Sequence, residues 1–142
     1  MQRKHDVFVK NFYQPFHLCY RIWPKPWKTK YPFFFFKEYK VLSAAEFRQR
    51  LRLSKRAKLI DIRSREEFRE LHIPGSVNYD VLSPSFVTRL SRMEKGRPYF
   101  IYCHNGKRCE TAMRLMEELG FRKVYSLATG LMSWKGTLER SY

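Results

Sequence analysis

The sequence predicts an α/β domain built on a mainly parallel sheet, and three observations carry that prediction. Compact apolar runs of strand length alternate with segments of helix length, the pattern of successive βα units. Two of the helical segments open on complete capping boxes. The chain of 142 residues, 44% of them hydrophobic, suits a single core.

The regular pattern starts near residue 41. Ser43-Ala-Ala-Glu46 opens a short helix: the Ser hydroxyl satisfies a free helix N–H and the Glu reaches back to the cap. Phe47 and Leu51 then fall on one face. Leu59 to Ile62 reads as a buried strand. Ser64, with Glu67 three residues on, caps a second short helix, and His72-Ile-Pro-Gly75 makes a turn before a short strand at Val77 to Tyr79. Ser83-Pro84 starts a third helix, where the missing Pro N–H costs least. The clearest strand is Tyr99 to Tyr102, introduced by the breakers Gly96 and Pro98. Cys109 to Leu119 is an amphipathic helix closed by Gly120, Val124 to Leu127 a strand, and Leu131 to Leu138 a last helix.

Residues 1–40 differ in kind and read as a basic, aromatic N-terminal extension to a domain over 41–142. They carry 9 basic and 2 acidic side chains, 13 of the 24 aromatics, 4 of the 7 Pro and none of the 6 Gly. Pro24, Pro26 and Pro32 interrupt any helix or central strand there. Interleaved aromatics and cations suit RNA or an anionic surface. An extension that packs on the domain, or upstream sequence translated beyond the true start, accounts for the same composition. The whole chain has 29 Lys+Arg against 13 Asp+Glu, a formal net charge of +16. No apolar run approaches the ~20 residues of a membrane span, which excludes an integral helical membrane protein. Three Cys without regular spacing exclude a secreted disulfide framework. With no apolar stretch of a secretory leader at the start, a cytoplasmic location is expected.

In parallel α/β sheets ligands bind at the carboxyl ends of the strands, so the loop after Tyr102 is the place to look for chemistry. Cys103-His-Asn-Gly-Lys-Arg108 sits between a buried strand and a helix. A thiol there faces loop amides and the positive end of the helix, which favours thiolate. Gly106 lets the loop curl with positive φ, so that successive N–H groups form an anion-binding nest, and Lys107 and Arg108 add fixed positive charge. A nucleophile, an oxyanion cradle and a cationic rim thus fall within six residues. A buried inert Cys is the bland alternative.

Asp61-Ile-Arg63 with Glu67-Phe68, then His72-Ile-Pro-Gly75-Ser76, then Cys103 to Arg108, resemble the successive signatures of a rhodanese domain, and Gly130 and Trp134 match its C-terminal segment. The resemblance covers about residues 41–138. It implies a three-layer sandwich with a sheet of about five strands flanked by helices, and a sulfurtransferase whose loop Cys carries a persulfide. It assigns Cys103 as nucleophile, His104, Asn105, Gly106, Lys107 and Arg108 as the persulfide-binding loop, and Asp61, Arg63 and Glu67 as structural support; His72 is expected to be structural. Three positions depart from the family pattern. Leu71 replaces a Gly, Thr129-Gly130 replaces a Gly pair, and Cys109 stands where Ser or Thr usually follows the loop. Cys109 is therefore a candidate second, resolving thiol, or simply a small helix-start residue.

The implied reaction takes sulfane sulfur from a small anionic donor such as thiosulfate and passes it to a thiol or protein acceptor, with no cofactor and no metal. Two rivals stand beside it. One is a non-catalytic rhodanese-like binding module. The other is a phosphatase of the dual-specificity type, whose loop is one residue longer; here Arg108 follows Cys103 by five positions, not six.

Overall fold

The computed structural model describes residues 37–141. The extension through residue 36, and with it the expected docking of RNA or an anionic surface, lies outside the described residues. Strands β1 (Glu38–Leu42), β2 (Lys58–Asp61), β3 (Val77–Asn78), β4 (Pro98–Tyr102) and β5 (Lys123–Leu127) form one sheet in the order β1-β5-β4-β2-β3. All its pairings are parallel. Helices α1 (Ala44–Leu53), α2 (Arg65–Glu70), α3 (Phe86–Ser91) and α4 (Lys107–Glu118) connect the strands, and a 3-10 helix, Gly130–Ser133, follows β5.

Alternation along the strands divides the core into two layers. Tyr99 and Ile101 of β4, Ile60 of β2 and Val124 of β5 pack with Phe86 and Leu90 of α3 and with Ala112 and Met116 of α4. Phe100, Tyr102, Leu59, Tyr125 and Leu127 face the other way, against Phe47 of α1 and Leu131, Trp134 and Leu138 of the C-terminal segment. Phe47 meets Phe100 edge-on at 5.2 Å between ring centroids, and Tyr99 meets Phe121 at 5.0 Å. The result is the expected three-layer sandwich.

Both capping boxes form. Ser43 and Glu46 close α1, and Ser64 and Glu67 close α2. Three elements differ from the sequence-based expectation. Strand β1 has no counterpart in the sequence pattern: it pairs with β5 from Glu38↔Lys123 to Leu42↔Leu127, and Tyr39 Oη donates to the Phe121 carbonyl at 2.9 Å. Helix α3 begins at Phe86, with Pro84 in the preceding turn. The last helix is a single 3-10 turn, after which Trp134 is extended and Glu139 makes an isolated antiparallel bridge with His72.

The chain leaves β2 towards the β3 edge and leaves β4 towards β5. The carboxyl ends of these two neighbouring central strands therefore bound a topological switch point, the place where such sheets leave a crevice. Asp61, Arg63 and Glu67 follow β2 there, and Cys103 follows β4.

Candidate active site

Cys103 is fully buried at the end of β4. The loop behind it reverses at Gly106, whose φ of 90° is left-handed. That conformation aims the Gly106 N–H at the Cys103 sulfur, 3.1 Å away. A Cβ at Gly106 would strike the Ala128 carbonyl, so glycine is required for space as well as for φ. The Cys109 amide donates to the Gly106 carbonyl at 3.0 Å, which carries the loop directly into α4. His104, Asn105 and Lys107 are exposed or half-exposed on the rim.

The loop is also held from the far side. Leu131 N–H donates to the Cys103 carbonyl at 2.9 Å and Met132 N–H to the His104 carbonyl at 3.2 Å. Gly130 makes this approach possible, because a Cβ there would overlap both carbonyls. The 3-10 turn is thus a clamp on the loop. Sequence reasoning placed Gly130 in the C-terminal segment without giving it this contact; the available signal was a glycine directly before an apolar turn.

The electrostatics favour a charged sulfur. The Cys109 thiol donates to Cys103, and the backbone N–H groups of Cys109, Gly106 and Arg108 add to it; together they outweigh burial and lower the Cys103 pKa to about 5. Cys109 moves the opposite way. As donor to a neighbouring thiolate, and itself buried, it is pushed far above the ordinary thiol range.

Arg108 does not point freely into the loop. Its guanidinium grips Glu67 with both nitrogens, at 2.7 and 2.8 Å, and this pair pulls the Glu67 carboxyl down to about 2. The same carboxylate accepts from the Ser64 N–H at 3.0 Å, so Glu67 joins the start of α2 to the start of α4. Asp61 and Arg63 form a separate buried pair: Arg63 Nη2 lies 2.6 Å from Asp61 Oδ2, Arg63 N–H donates to Oδ1 at 2.9 Å, and Nη2 also donates to the Leu71 carbonyl. His72 stacks on Phe68 at 3.9 Å, with its ring nitrogens against the Phe68 carbonyl and the Glu139 carboxylate. The structure therefore gathers Cys103 to Cys109 with Glu67 in one cluster, and places Asp61, Arg63 and His72 in the bracing beside it.

A family model described as a Rhodanese-like domain matches residues 43–137. The chain belongs to the rhodanese-like family. Its relatives include the putative sulfur carrier protein YrkF of Bacillus subtilis (strain 168), 31% identical over 98 residues. That match takes in 69% of this chain but 52% of YrkF, so the chain spans about half the length of that relative. Thiosulfate sulfurtransferase GlpE of Pseudomonas savastanoi pv. phaseolicola is 30% identical over 81 residues, 57% of this chain and 74% of GlpE. Among solved structures, the human single domain sulfurtransferase TSTD1 has a TM-score of 0.57 and 28% identity, covering 68% of this chain and 97% of that one.

The departures of this rhodanese-like domain now have a physical reading. Leu71 has φ −158° and ψ 131°, extended backbone open to any residue, so nothing there calls for glycine. Thr129 likewise has negative φ, and only Gly130, at φ 55°, occupies the left-handed region. Cys109 keeps a hydrogen-bond donor where Ser or Thr would put a hydroxyl.

Proposed function

We propose that this rhodanese-like domain is a sulfurtransferase that moves sulfane sulfur from thiosulfate, or another persulfide donor, to a thiophilic acceptor in the cytoplasm through a persulfide on Cys103. The observation that carries the reading is the Cys103 sulfur held as thiolate by the Cys109 thiol and by amides of its own loop. The thiolate attacks the outer sulfur of thiosulfate; a new S–S bond forms as the donor S–S bond breaks, and sulfite leaves with the electron pair. The loop amides that held one negative sulfur then hold the terminal sulfur of the persulfide. An acceptor thiolate takes that sulfur, and Cys103 departs as thiolate. Lys107, exposed on the rim, attracts the anionic donor, while Arg108, engaged by Glu67, fixes the start of α4. Because Cys103 is buried, the loop must open for the donor to reach its sulfur. Cys109, kept protonated, acts as a donor to the leaving and attacking sulfur and not as a resolving nucleophile.

Phosphoryl transfer fits this loop less well. It is one residue short of the phosphatase pattern, and the only Arg within it is committed to a carboxylate.

Intact mass before and after thiosulfate tests the proposal. One added sulfur on Cys103, removable by cyanide and absent in Cys103→Ser, is the expected result. No added sulfur on folded protein, with Cys103 still titrating as a thiolate, would leave the binding-module reading in its place; hydrolysis of an aryl phosphate in that same protein would select the phosphatase.

A further inference from the structure

At the opposite end of the sheet, a cleft of about 380 Å³ is lined by Lys58, Tyr79, Arg89, Arg92, Arg97 and Tyr99, with Met93 and Glu94 at its side. Lys58 opens β2 and Arg97 directly precedes β4. Cys103 directly follows β4, so five residues of strand, about 17 Å at ~3.3 Å each, separate this cleft from the sulfur loop. It is a distinct place on the domain.

Four cations meet one carboxylate in the cleft, and that carboxylate is already taken. Glu94 receives both of its bonds from Arg56, at 2.9 and 3.1 Å. Lys58 and Arg89 both lie over the Tyr79 ring, at 5.2 and 5.0 Å from its centroid, which orders their long side chains before any ligand arrives. Arg97 is fixed through Nε to the Arg56 carbonyl at 2.6 Å, and Arg92 is exposed at the end of α3. Charges pre-ordered in this way lose little side-chain entropy on binding. Three of the four are arginines, whose planar forks match phosphate oxygens.

The lining also distinguishes between polyanions. A protein partner is held mainly by apolar and aromatic anchors in desolvated pockets. Here the Tyr79 ring is occupied by its two cations, Tyr99 is buried with its hydroxyl on the Glu94 carbonyl, and Met93 is the one aliphatic member. A phosphodiester backbone needs no such anchor and is held through charge and hydrogen bonds to its oxygens. From this cluster of ordered, mostly unneutralised arginines we infer that the cleft around Arg89 and Arg92 binds the phosphate backbone of a nucleic acid. The inference does not rest on Cys103 or on sulfur transfer.

The test uses the full chain and a fluorescently labelled single-stranded RNA of mixed sequence, with anisotropy measured across a salt series. Arg89→Glu/Arg92→Glu is compared with Arg48→Glu/Arg52→Glu, two exposed arginines on α1 that change the net charge equally. Both variants are first shown to keep the parent's circular dichroism and melting midpoint. The α3 variant should lose about tenfold or more in affinity, with the salt slope smaller by about 1.4, the change expected when two phosphates of a single strand are no longer neutralised. The α1 variant should lose less than about threefold. Equal losses in the two variants would overturn the site in favour of bulk charge, and no loss in the α3 variant would overturn it outright. Displacement of the RNA by polyglutamate as effectively as by unlabelled RNA of equal charge would assign the cleft to an acidic protein instead.

Discussion

The Cys103–Cys109 pair shows how one side chain sets the chemistry of another. Two thiols side by side cannot both ionise cheaply, and the amides of Gly106, Arg108 and Cys109 all favour the charge on Cys103. The proton therefore stays on Cys109. Removing that donor with Cys109→Ala leaves the amides but deletes a hydrogen bond to a charged group, worth about 1.5–3 kcal/mol. At about 1.4 kcal/mol per pH unit, the Cys103 pKa should rise by about one to two pH units, read from the pH titration of thiolate ultraviolet absorbance. Cys109→Ser restores a donor and should keep the pKa near the parent's. If Cys109 served instead as a resolving thiol, Ser would abolish disulfide formation while leaving the titration in place. The clustering of Cys103, the loop glycine and this second thiol was legible in the sequence, because they lie within seven consecutive residues. The partner of Arg108 was not. Glu67 stands 41 positions away, and its capping-box spacing accounts for it locally without pointing to Arg108.

At the scale of elements, local signals succeeded where they coincide with a hydrogen bond and failed where only tertiary contact decides. Both capping boxes, the buried strand β4 and amphipathic α4 follow from their own residues. Strand β1 alternates polar and apolar residues only from Glu38 to Val41, a run too short to stand out beside the preceding aromatic segment, and Val41 is exposed in the fold. It is a strand because β5 offers it an edge. Leu131, Trp134 and Leu138 have helical spacing and all reach the same core layer, yet extended chain follows the single 3-10 turn. Glycines discriminate in the same way. Gly106 and Gly120 both have positive φ, 90° and 83°, but only at Gly106 does a Cβ meet backbone. Gly120→Ala should cost about 1–2 kcal/mol, the left-handed penalty alone. Gly106→Ala must also separate the loop from Ala128 and should cost about 3 kcal/mol or more, with the Cys103 pKa raised as the amide is displaced. Urea unfolding of both variants checks the ranking; equal costs would mean that the Gly106–Ala128 contact is not what fixes the loop.

Across the whole molecule, two carboxylates tie distant elements together and make stability depend on acidity. Glu67 links α2 to α4 through Arg108. Glu38 of β1 accepts from Tyr125 of β5 at 2.7 Å and from Arg50 of α1 at 2.9 Å, with Lys40 beside it. Arg108 chiefly holds Glu67 down to about 2; the Tyr125 hydroxyl, then Lys40 and Arg50, hold Glu38 down to about 2, against an ordinary value of 4.5. A carboxyl whose folded pKa is depressed stabilises the fold fully above its unfolded pKa and loses that contribution as pH falls towards the folded pKa. The urea midpoint should therefore fall as pH drops from 4.5 to about 2. Above about pH 5 it should rise towards pH 9, because Cys103 is then thiolate in the folded chain and thiol in the unfolded one. Partial exposure of both side chains, 33% for Glu67 and 29% for Glu38, keeps each contribution modest through solvent screening. In Glu38→Gln/Glu67→Gln the midpoint at about pH 5 should be lower and the acid decline below it shallower, because the two carboxyls that titrate there are gone. A decline as steep as the parent's would assign the acid sensitivity to other carboxylates. Cys103 should titrate in the variant with its pKa moved only slightly, and downward as Arg108 loses its counter-charge, since its hydrogen bonds come from Cys109 and the loop amides and not from either carboxylate.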